Sequence, residues 1–232
     1  MAALQPPPIT RLAWEALSGR ELGRLVLSTP SLRSAPRGSA AVVVLPGFGA
    51  DDASTLPLRA FLGRLGHQVQ GWSLGRNRGD VPALVPKVAD AVLDLASRRG
   101  ERVHLVGQSL GGVVARETAR EHPEAVAQVI TFGTPVVGGP AYTRLAFTYP
   151  RDRMADVVAE IDERNRIPIA VPITAVHSHR DGIVAWQACI DSVNPQAVNV
   201  EVSSSHLGMG LDPRVWRLVA DRLAAVGVVS TR

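Results

Sequence analysis

Cysteine is nearly absent from this sequence, with Cys189 as the single example among 232 residues. One cysteine cannot form a disulfide within the chain, so the fold must be stable without that cross-link. Such sparse use is typical of reducing compartments. The first ten residues, MAALQPPPIT, also lack the basic start and apolar centre of a secretory signal. We therefore expect a cytoplasmic protein.

Long apolar runs and aromatic residues are scarce too. No stretch approaches the roughly 18 consecutive apolar residues of a membrane span, and aromatics make up 4% of the chain. The net charge is +4, but the arginines are scattered singly among acids, so we expect no nucleic-acid partner. No His, Cys and carboxylate cluster has metal-ligand spacing, and His177-Ser178-His179 alone is a weak candidate. We therefore expect no metal and no organic cofactor.

From residue 40 onward, short apolar runs alternate with longer amphipathic stretches. The runs lie at 40–45, 69–74, 103–106, 127–132, 169–176 and 197–202, and the main helices are predicted at 52–66, 81–99, 113–121 and 213–226. This alternation predicts an α/β fold, a three-layer α/β/α sandwich on a mostly parallel sheet of about six strands.

Residues 9–28 have the spacing of an amphipathic helix broken near Ser18, and residues 28–39 resemble a linker. We expect residues 1–39 to form a helical segment packed on a domain of residues 40–232. Contact of this helical segment with a membrane surface stays open, and the pattern does not specify an oligomeric state.

A candidate nucleophile lies between the third predicted strand and the helix after it. Gly107-Gln108-Ser109-Leu110-Gly111 matches G-x-S-x-G, a tight turn that holds a serine hydroxyl clear of the backbone. The loops after parallel strands gather at one edge of a sheet. This serine should therefore share a crevice with residues 46–50, 177–181 and 203–208.

A serine hydroxyl needs a base within hydrogen-bond reach. Of the six histidines we favour His206, which follows the last predicted strand among small residues. His177 and His179, close to the crevice, are its competitors. The other histidines, for which structural or surface positions are expected, are His67, His104 and His122.

The base in turn needs an acid that orients it. Asp181, just past the fifth predicted strand, is favoured over Asp191 and Asp152. The chain order Ser109, Asp181, His206 is that of one of three unrelated types of serine triad.

An oxyanion formed by acyl transfer requires preset N–H donors. We expect the N–H of Leu110 and that of Phe48, with Gly49 as the alternative to Phe48. Apolar or small residues from the same loops and from residues 136–168 predict a hydrophobic acyl site. The residues expected to bind the substrate are Gly47, Gly49, Gln108, Val136, Val137, Leu207 and Met209, with Tyr142, Phe147 and Tyr149 as further walls.

The motifs LPGFGA (45–50), VGQSLGG (106–112), TFGTP (131–135), HSHRDGIV (177–184) and SSSHLGMG (203–210) together resemble an α/β-hydrolase of the serine esterase and lipase type, with bacterial lipase-like esterases the nearest in pattern. The resemblance implies Ser109 as nucleophile, His206 as base and Asp181 as acid. It also implies that the family's first two strands are missing here and that residues 136–168 are a short cap.

The expected activity is hydrolysis of small-molecule or lipid-like esters through an acyl-enzyme on Ser109. An acyltransferase or a thioesterase would use the same three residues, since only the acceptor of the acyl group differs. A binding protein that keeps the fold without catalysis is the remaining alternative.

Overall fold

Six parallel strands form one sheet at the centre of the chain, which confirms the predicted architecture. The computed structural model describes residues 4–16 and 19–227. The strands are β1 (Ala41–Leu45), β2 (Gln68–Gly71), β3 (Val103–Gln108), β4 (Val126–Phe132), β5 (Ile173–Ser178) and β6 (Val198–Val202). They lie in the order β2-β1-β3-β4-β5-β6, and each pair of neighbours is parallel. β3, which leads into the G-x-S-x-G turn, is therefore an interior strand.

Helices cover both faces of this sheet. The α-helices are α1 (Leu12–Ala16), α2 (Gly19–Leu27), α3 (Thr29–Arg33), α4 (Asp52–Arg64), α5 (Val81–Arg99), α6 (Leu110–Glu121), α7 (Met154–Asn165) and α8 (Pro213–Gly227). α4 and α8 share one core with the sheet, and α5 and α6 share the other, which gives three layers. None of the described helices combines the length and the apolar character that crossing a bilayer requires.

β1 shows how one strand serves both cores. All five of its residues are buried, and successive side chains of a strand point to opposite faces. Val42 and Val44 pack on the side of α4 and α8. Ala41, Val43 and Leu45 pack on the side of α5 and α6. An unbroken apolar run is thus the signature of a strand covered on both faces.

The segment predicted to be a linker, residues 28–39, contains the short helix α3. Leu32 of this helix is buried in the core that includes residues of α8, which gives a serine- and proline-rich stretch an apolar anchor. The predicted break near Ser18 falls on residues 17 and 18, which lie outside the described residues. α2 starts directly afterwards at Gly19.

β2 ends at Gly71, before the predicted end at residue 74. The carboxylate of Asp52 accepts the backbone N–H of Trp72 and that of Ser73, each at 3.0 Å. These two N–H groups therefore bind the start of α4 instead of extending the sheet. A side-chain acceptor of this kind does not alter the hydrophobic pattern, so the end of the strand predicted from the sequence lies too far along the chain.

Between β4 and β5 the chain leaves the sheet at the position predicted for a cap. It forms three 3-10 turns, Gly139–Tyr142, Ala146–Thr148 and Arg151–Arg153, and then α7. The N–H of Arg144 donates to the carbonyl of Ile183 at 2.7 Å. This bond ties the segment of residues 136–168, called the cap below, to the loop after β5.

Gly111 and Gly63 offer a matched test of packing at the G-x-S-x-G turn. A Cβ at Gly111 would lie 2.5 Å from the carbonyl oxygen of Pro46, whereas a Cβ at Gly63 would meet nothing within 4 Å. We expect Gly111→Ala to lower the free energy of unfolding by about 3 kcal/mol, because backbone must shift. Gly63→Ala should raise it by about 0.5 kcal/mol. Urea unfolding followed by circular dichroism measures both, and a fully stable Gly111→Ala protein would contradict the close approach.

Candidate active site

The backbone at Ser109 is held in a strained strand-to-helix turn. Ser109 lies between β3 and α6, and its φ of 51° falls in the left-handed region that side chains rarely adopt. Its N–H donates to the carbonyl of Phe132 at 2.9 Å, and its carbonyl accepts from the Thr134 hydroxyl at 2.9 Å. Strain that neighbouring groups maintain in this way is typical of functional sites.

Asp181 and His206 form a buried carboxylate–imidazole pair. Oδ2 of Asp181 lies 2.7 Å from Nδ1 of His206, and the two residues are 0% and 4% exposed. The other carboxylate oxygen accepts the N–H of Ile183 at 2.8 Å and that of Val184 at 2.7 Å. A neutral His206 that donates its Nδ1–H to Asp181 carries its lone pair on Nε2.

His206 also lies beside the turn that contains Ser109. Ser109 bonds to Phe132 at the end of β4, and a Cβ on the next residue, Gly133, would lie 2.8 Å from Nδ1 of His206. Gln108 donates from Nε2 to the carbonyl of His206 at 3.4 Å. The structure thus brings the three residues Ser109, Asp181 and His206 to one edge of the sheet.

The rival acids have other surroundings. Asp191 lies 2.6 Å from Arg116 in a buried ion pair, and that charge with its hydrogen bonds lowers the pKa of Asp191 although burial alone would raise it. Asp152 is exposed in a turn of the cap. Neither residue is bonded to a described histidine.

The rival histidines lie against an indole ring. The rings of His177 and His179 are centred 6.0 Å and 4.0 Å from that of Trp186. With Glu201, opposite His177 in the β5–β6 pairing, they form the one group of possible metal ligands in the described part of the chain, with ligand atoms within 4.8 Å. His179 and Glu201 are exposed, so the cluster by itself assigns no metal.

Opposing effects set the pKa of His206. Burial lowers it, but the charge of Asp181, the hydrogen bond to Asp181 and the charge of Glu15 together raise the pKa above that of a free imidazole. Negative charge nearby thus makes this ring a stronger base in spite of its burial.

Two backbone N–H groups beside Ser109 are free to bind an oxygen. Among the described residues, neither the N–H of Leu110, which starts α6, nor that of Phe48 has a hydrogen-bond partner. The alternative donor, the N–H of Gly49, is occupied by the carbonyl of Asn77 at 2.7 Å. A Cβ at Gly47 would lie 3.3 Å from Cβ of Ser109, so this loop passes close to the serine.

Asn77 holds that loop in place and was missed by the sequence analysis. It is fully buried, and its Nδ2 donates to the carbonyl of Pro46 at 2.9 Å. Its own N–H donates to the carbonyl of Ala50 at 2.8 Å, and its Oδ1 accepts the N–H of Gly79 at 3.1 Å. Its only sequence signal is an amide in a glycine-containing loop.

A cavity of about 370 Å³ adjoins Ser109, between α5, α6 and the cap. Phe48, Leu110 and Val136 line it near the serine. Along α6 the wall continues through Val113 to Glu117, each step about one turn farther away. The lining thus contains apolar residues of the kind expected for an acyl site, and it also includes the acidic Glu117.

Charged groups surround the distant part of the cavity. Arg164 of α7 lies 2.6 Å from Glu117 and 2.6 Å from Glu121 of α6. Arg116 and Glu160 also belong to the lining. The distant wall thus includes ion pairs between the cap and α6.

Several of the residues predicted to bind the substrate are outside the lining of this cavity. Val136 and Tyr149 do line it. Met209 is fully buried in the core, Leu207 is 52% exposed and Phe147 is 81% exposed. The remaining residues outside the lining are Gly47, Gly49, Gln108, Val137 and Tyr142. The physical reason is that α5 and α6 enclose the cavity, rather than the loop after β6.

Comparison with known proteins bears on the fold. No family model matches the sequence. Over 117 residues, 48% of this chain, it is 30% identical to a protein named carbamate hydrolase RutD of Yersinia enterocolitica, and the match spans 41% of that protein.

Solved structures are similar over most of their length. Alpha/beta hydrolase domain-containing protein 10 from mouse has a TM-score of 0.58 and 18% identity, over 84% of this chain and 92% of that one. A structure of the metagenome-derived lipolytic enzymes LipS and LipT has a TM-score of 0.63 and 15% identity, over 84% and 96%. For the monoacylglycerol lipase of Paleococcus ferrophilus the values are 0.58 and 15%, over 82% and 97%. These structural similarities show that the chain has the α/β-hydrolase fold.

The pKa of His206 provides a test of the buried pair. We expect Asp181→Asn to lower this pKa, because the charge and the hydrogen bond of Asp181 are what raise it most. NMR titration of the imidazole protons measures the shift. Asp152→Asn, which changes an exposed acid of the cap, is the control and should leave the pKa of His206 in place. An unchanged value in Asp181→Asn would contradict the pairing.

Proposed function

We propose that this chain, which has the α/β-hydrolase fold, is a serine hydrolase that cleaves esters of hydrophobic acyl groups. Ser109 is the nucleophile, His206 the base and Asp181 the acid that orients it. The observation that supports this most is the buried pair of Asp181 and His206, 2.7 Å apart, beside a serine in left-handed backbone. A serine hydroxyl becomes a useful nucleophile only with such an oriented base.

In the first half of the reaction, Oγ of Ser109 attacks the ester carbonyl carbon while Nε2 of His206 takes the hydroxyl proton. The tetrahedral adduct collapses, the bond to the leaving alcohol breaks, and His206 gives its proton to that alcohol. Asp181 stays ionised and balances the charge of the imidazolium. The product of this half is an acyl ester on Ser109.

Water completes the cycle. It attacks the acyl ester as His206 takes one of its protons, and the second adduct releases the carboxylic acid as the proton returns to Ser109. In both halves the former carbonyl oxygen becomes negatively charged. The free N–H groups of Leu110 and Phe48 are the donors for it, and loss of one such donor reduces turnover by roughly 10²- to 10³-fold.

The cavity favours an acyl chain of moderate length. From Leu110 to Glu117 the wall of α6 extends about 10 Å, and beyond that distance the ion pairs of Arg164 form part of the wall. A longer apolar chain would have to displace water from charged groups, which is unfavourable. The lipolytic enzymes and the monoacylglycerol lipase with this fold are named for esters of this general kind.

Replacement of the serine tests the proposal directly. We expect Ser109→Ala to reduce turnover of a nitrophenyl ester by about 10⁴-fold or more, because the nucleophile is lost. A fluorophosphonate probe should label the wild-type protein and not this variant, as mass spectrometry of the labelled peptide shows.

Ser73→Ala is the matched control, because Ser73 is, with Ser109, one of the two serines with a positive φ among the described residues and lies outside the cavity lining. It should retain both activity and labelling. Undiminished ester hydrolysis by Ser109→Ala would refute the proposal. Faster cleavage of an aryl carbamate than of any ester would refute the choice of ester.

A series of nitrophenyl esters tests the substrate class. We expect kcat/KM to rise about fourfold per methylene, from about 0.8 kcal/mol each, until the chain reaches the charged end, and then to fall. Val113→Phe narrows the cavity one turn beyond Leu110 and should reduce activity on longer esters more than on the acetate. Equal values across the series would rule out an acyl chain in this cavity.

A further inference from the structure

Glu15 of α1 is a buried carboxylate that contacts two loops of the proposed active site. Its Oε1 accepts the N–H of Gly182 and that of His206, each at 2.9 Å, and its Oε2 accepts the N–H of Leu207 at 2.9 Å. Glu15 is only 8% exposed. Gly182 directly follows Asp181, so one side chain bonds both the loop of the acid and the loop of the base.

We infer that Glu15 is a positioning residue, which holds these loops at the separation that the Asp181–His206 hydrogen bond requires and whose negative charge helps His206 to accept a proton. The inference rests on the proposed function, because Glu15 acts through the proposed base. Without the carboxylate, three N–H groups in largely buried backbone would lose their acceptor, and each unsatisfied group is costly. The loops would then settle in other positions.

Residues close to Glu15 in the sequence pack α1 and the turn before it on the loop after β5. The guanidinium of Arg180 lies 5.0 Å from the centre of the Trp14 ring, a cation–π geometry. Gly182 packs so closely on the backbone that a Cβ there would lie 2.5 Å from the carbonyl oxygen of Arg11. Glu15 therefore lies in a segment whose position on the loop after β5 is also fixed by contacts of Trp14 and Arg11.

The charge of Glu15 acts on a ring with few other charged neighbours. Among described residues the charges that raise the pKa of His206 are Asp181, from the loop after β5, and Glu15, from α1. Gln108, at the end of β3, is uncharged, and burial raises the pKa of the Cys189 thiol near Asp181 and keeps it neutral. Loss of the charge at Glu15 should therefore lower the pKa of His206.

Glu15→Gln is the decisive variant, since it removes the charge and keeps the shape. Its carbonyl oxygen can still accept from Gly182 and His206, whereas its amide faces the N–H of Leu207. Because deprotonated His206 is the active form, the acidic limb of the kcat/KM profile should move to lower pH as the pKa falls. At the alkaline plateau we expect lower kcat with KM little changed, since Glu15 lies outside the cavity lining.

Glu15→Ala removes every acceptor and should reduce kcat by on the order of 10²-fold, through misplacement of the base. Added formate, which can occupy the vacated carboxylate site, should restore part of it. Glu21→Gln is the control: Glu21 is similarly buried in α2 and packs on Gly208 of the loop after β6, but its carboxylate pairs with Arg24 and is not among the charges that raise the pKa of His206. Its pH profile should match that of the wild type.

The outcomes separate this inference from the proposed function. If Ser109→Ala remains active, the function itself is wrong. If Ser109→Ala is inactive but Glu15→Gln has the wild-type pH profile, the positioning role is wrong. Unfolding of both Glu15 variants at assay temperature, seen by circular dichroism while Glu21→Gln stays folded, would also overturn it in favour of a purely structural role.

Discussion

A buried carboxylate remains ionised only where hydrogen bonds and opposite charge replace the water it has lost, and the proposed site depends on how Asp181 meets this condition. Its oxygens accept from Ile183, Val184 and His206, so each oxygen has at least one hydrogen-bond donor. Separation of the loops after β5 and β6 would leave Oδ2 of this buried carboxylate without its hydrogen-bond donor, at a cost of about 1–3 kcal/mol. The position of the His206 ring is thus determined more by its hydrogen bond to Asp181, between the loops after β5 and β6, than by packing of the ring.

The serine and the oxyanion donors depend on a second constraint, the close approach of α6 to β1. Without a side chain at Gly111, the first turn of α6 contacts the backbone of Leu45 and Pro46. The same approach brings the loop of residues 46–50 beside Ser109, and the N–H of Leu110 has no hydrogen-bond partner among the described residues. Asn77 then fixes the loop from its other side. The strained backbone of Ser109 is therefore held by contacts among the first turn of α6, the loop of residues 46–50 and the loop that contains Asn77.

Periodicity and local motifs suffice to predict the sheet and the G-x-S-x-G turn, because the signal for each lies within a few neighbouring residues. The apolar run at 40–45 and G-x-S-x-G at 107–111 are of this kind. Glu15 bonds partners 167 and 191 positions away, and nothing near it in the sequence indicates them. The residues that line the cavity are hard to predict from sequence for the same reason. Leu207 and Met209 lie one and three residues after His206, yet Met209 is buried in the core and Leu207 is exposed to solvent. Tertiary approach, rather than local pattern, decides these positions.

The resemblance implies that the family's first two strands are missing here, and a six-stranded sheet in the described residues has consequences for the sheet edge at β2 and for the chain before β1. β2 becomes an edge, where unpaired backbone invites association with another sheet. It is short, and Asp52 occupies the N–H groups of Trp72 and Ser73 that would prolong it. The polypeptide before β1 is used differently, in helices that contact α8 and the loops after β5 and β6. A segment that supplies hydrogen bonds to those loops contributes to the geometry of the crevice, so its role goes beyond covering the core.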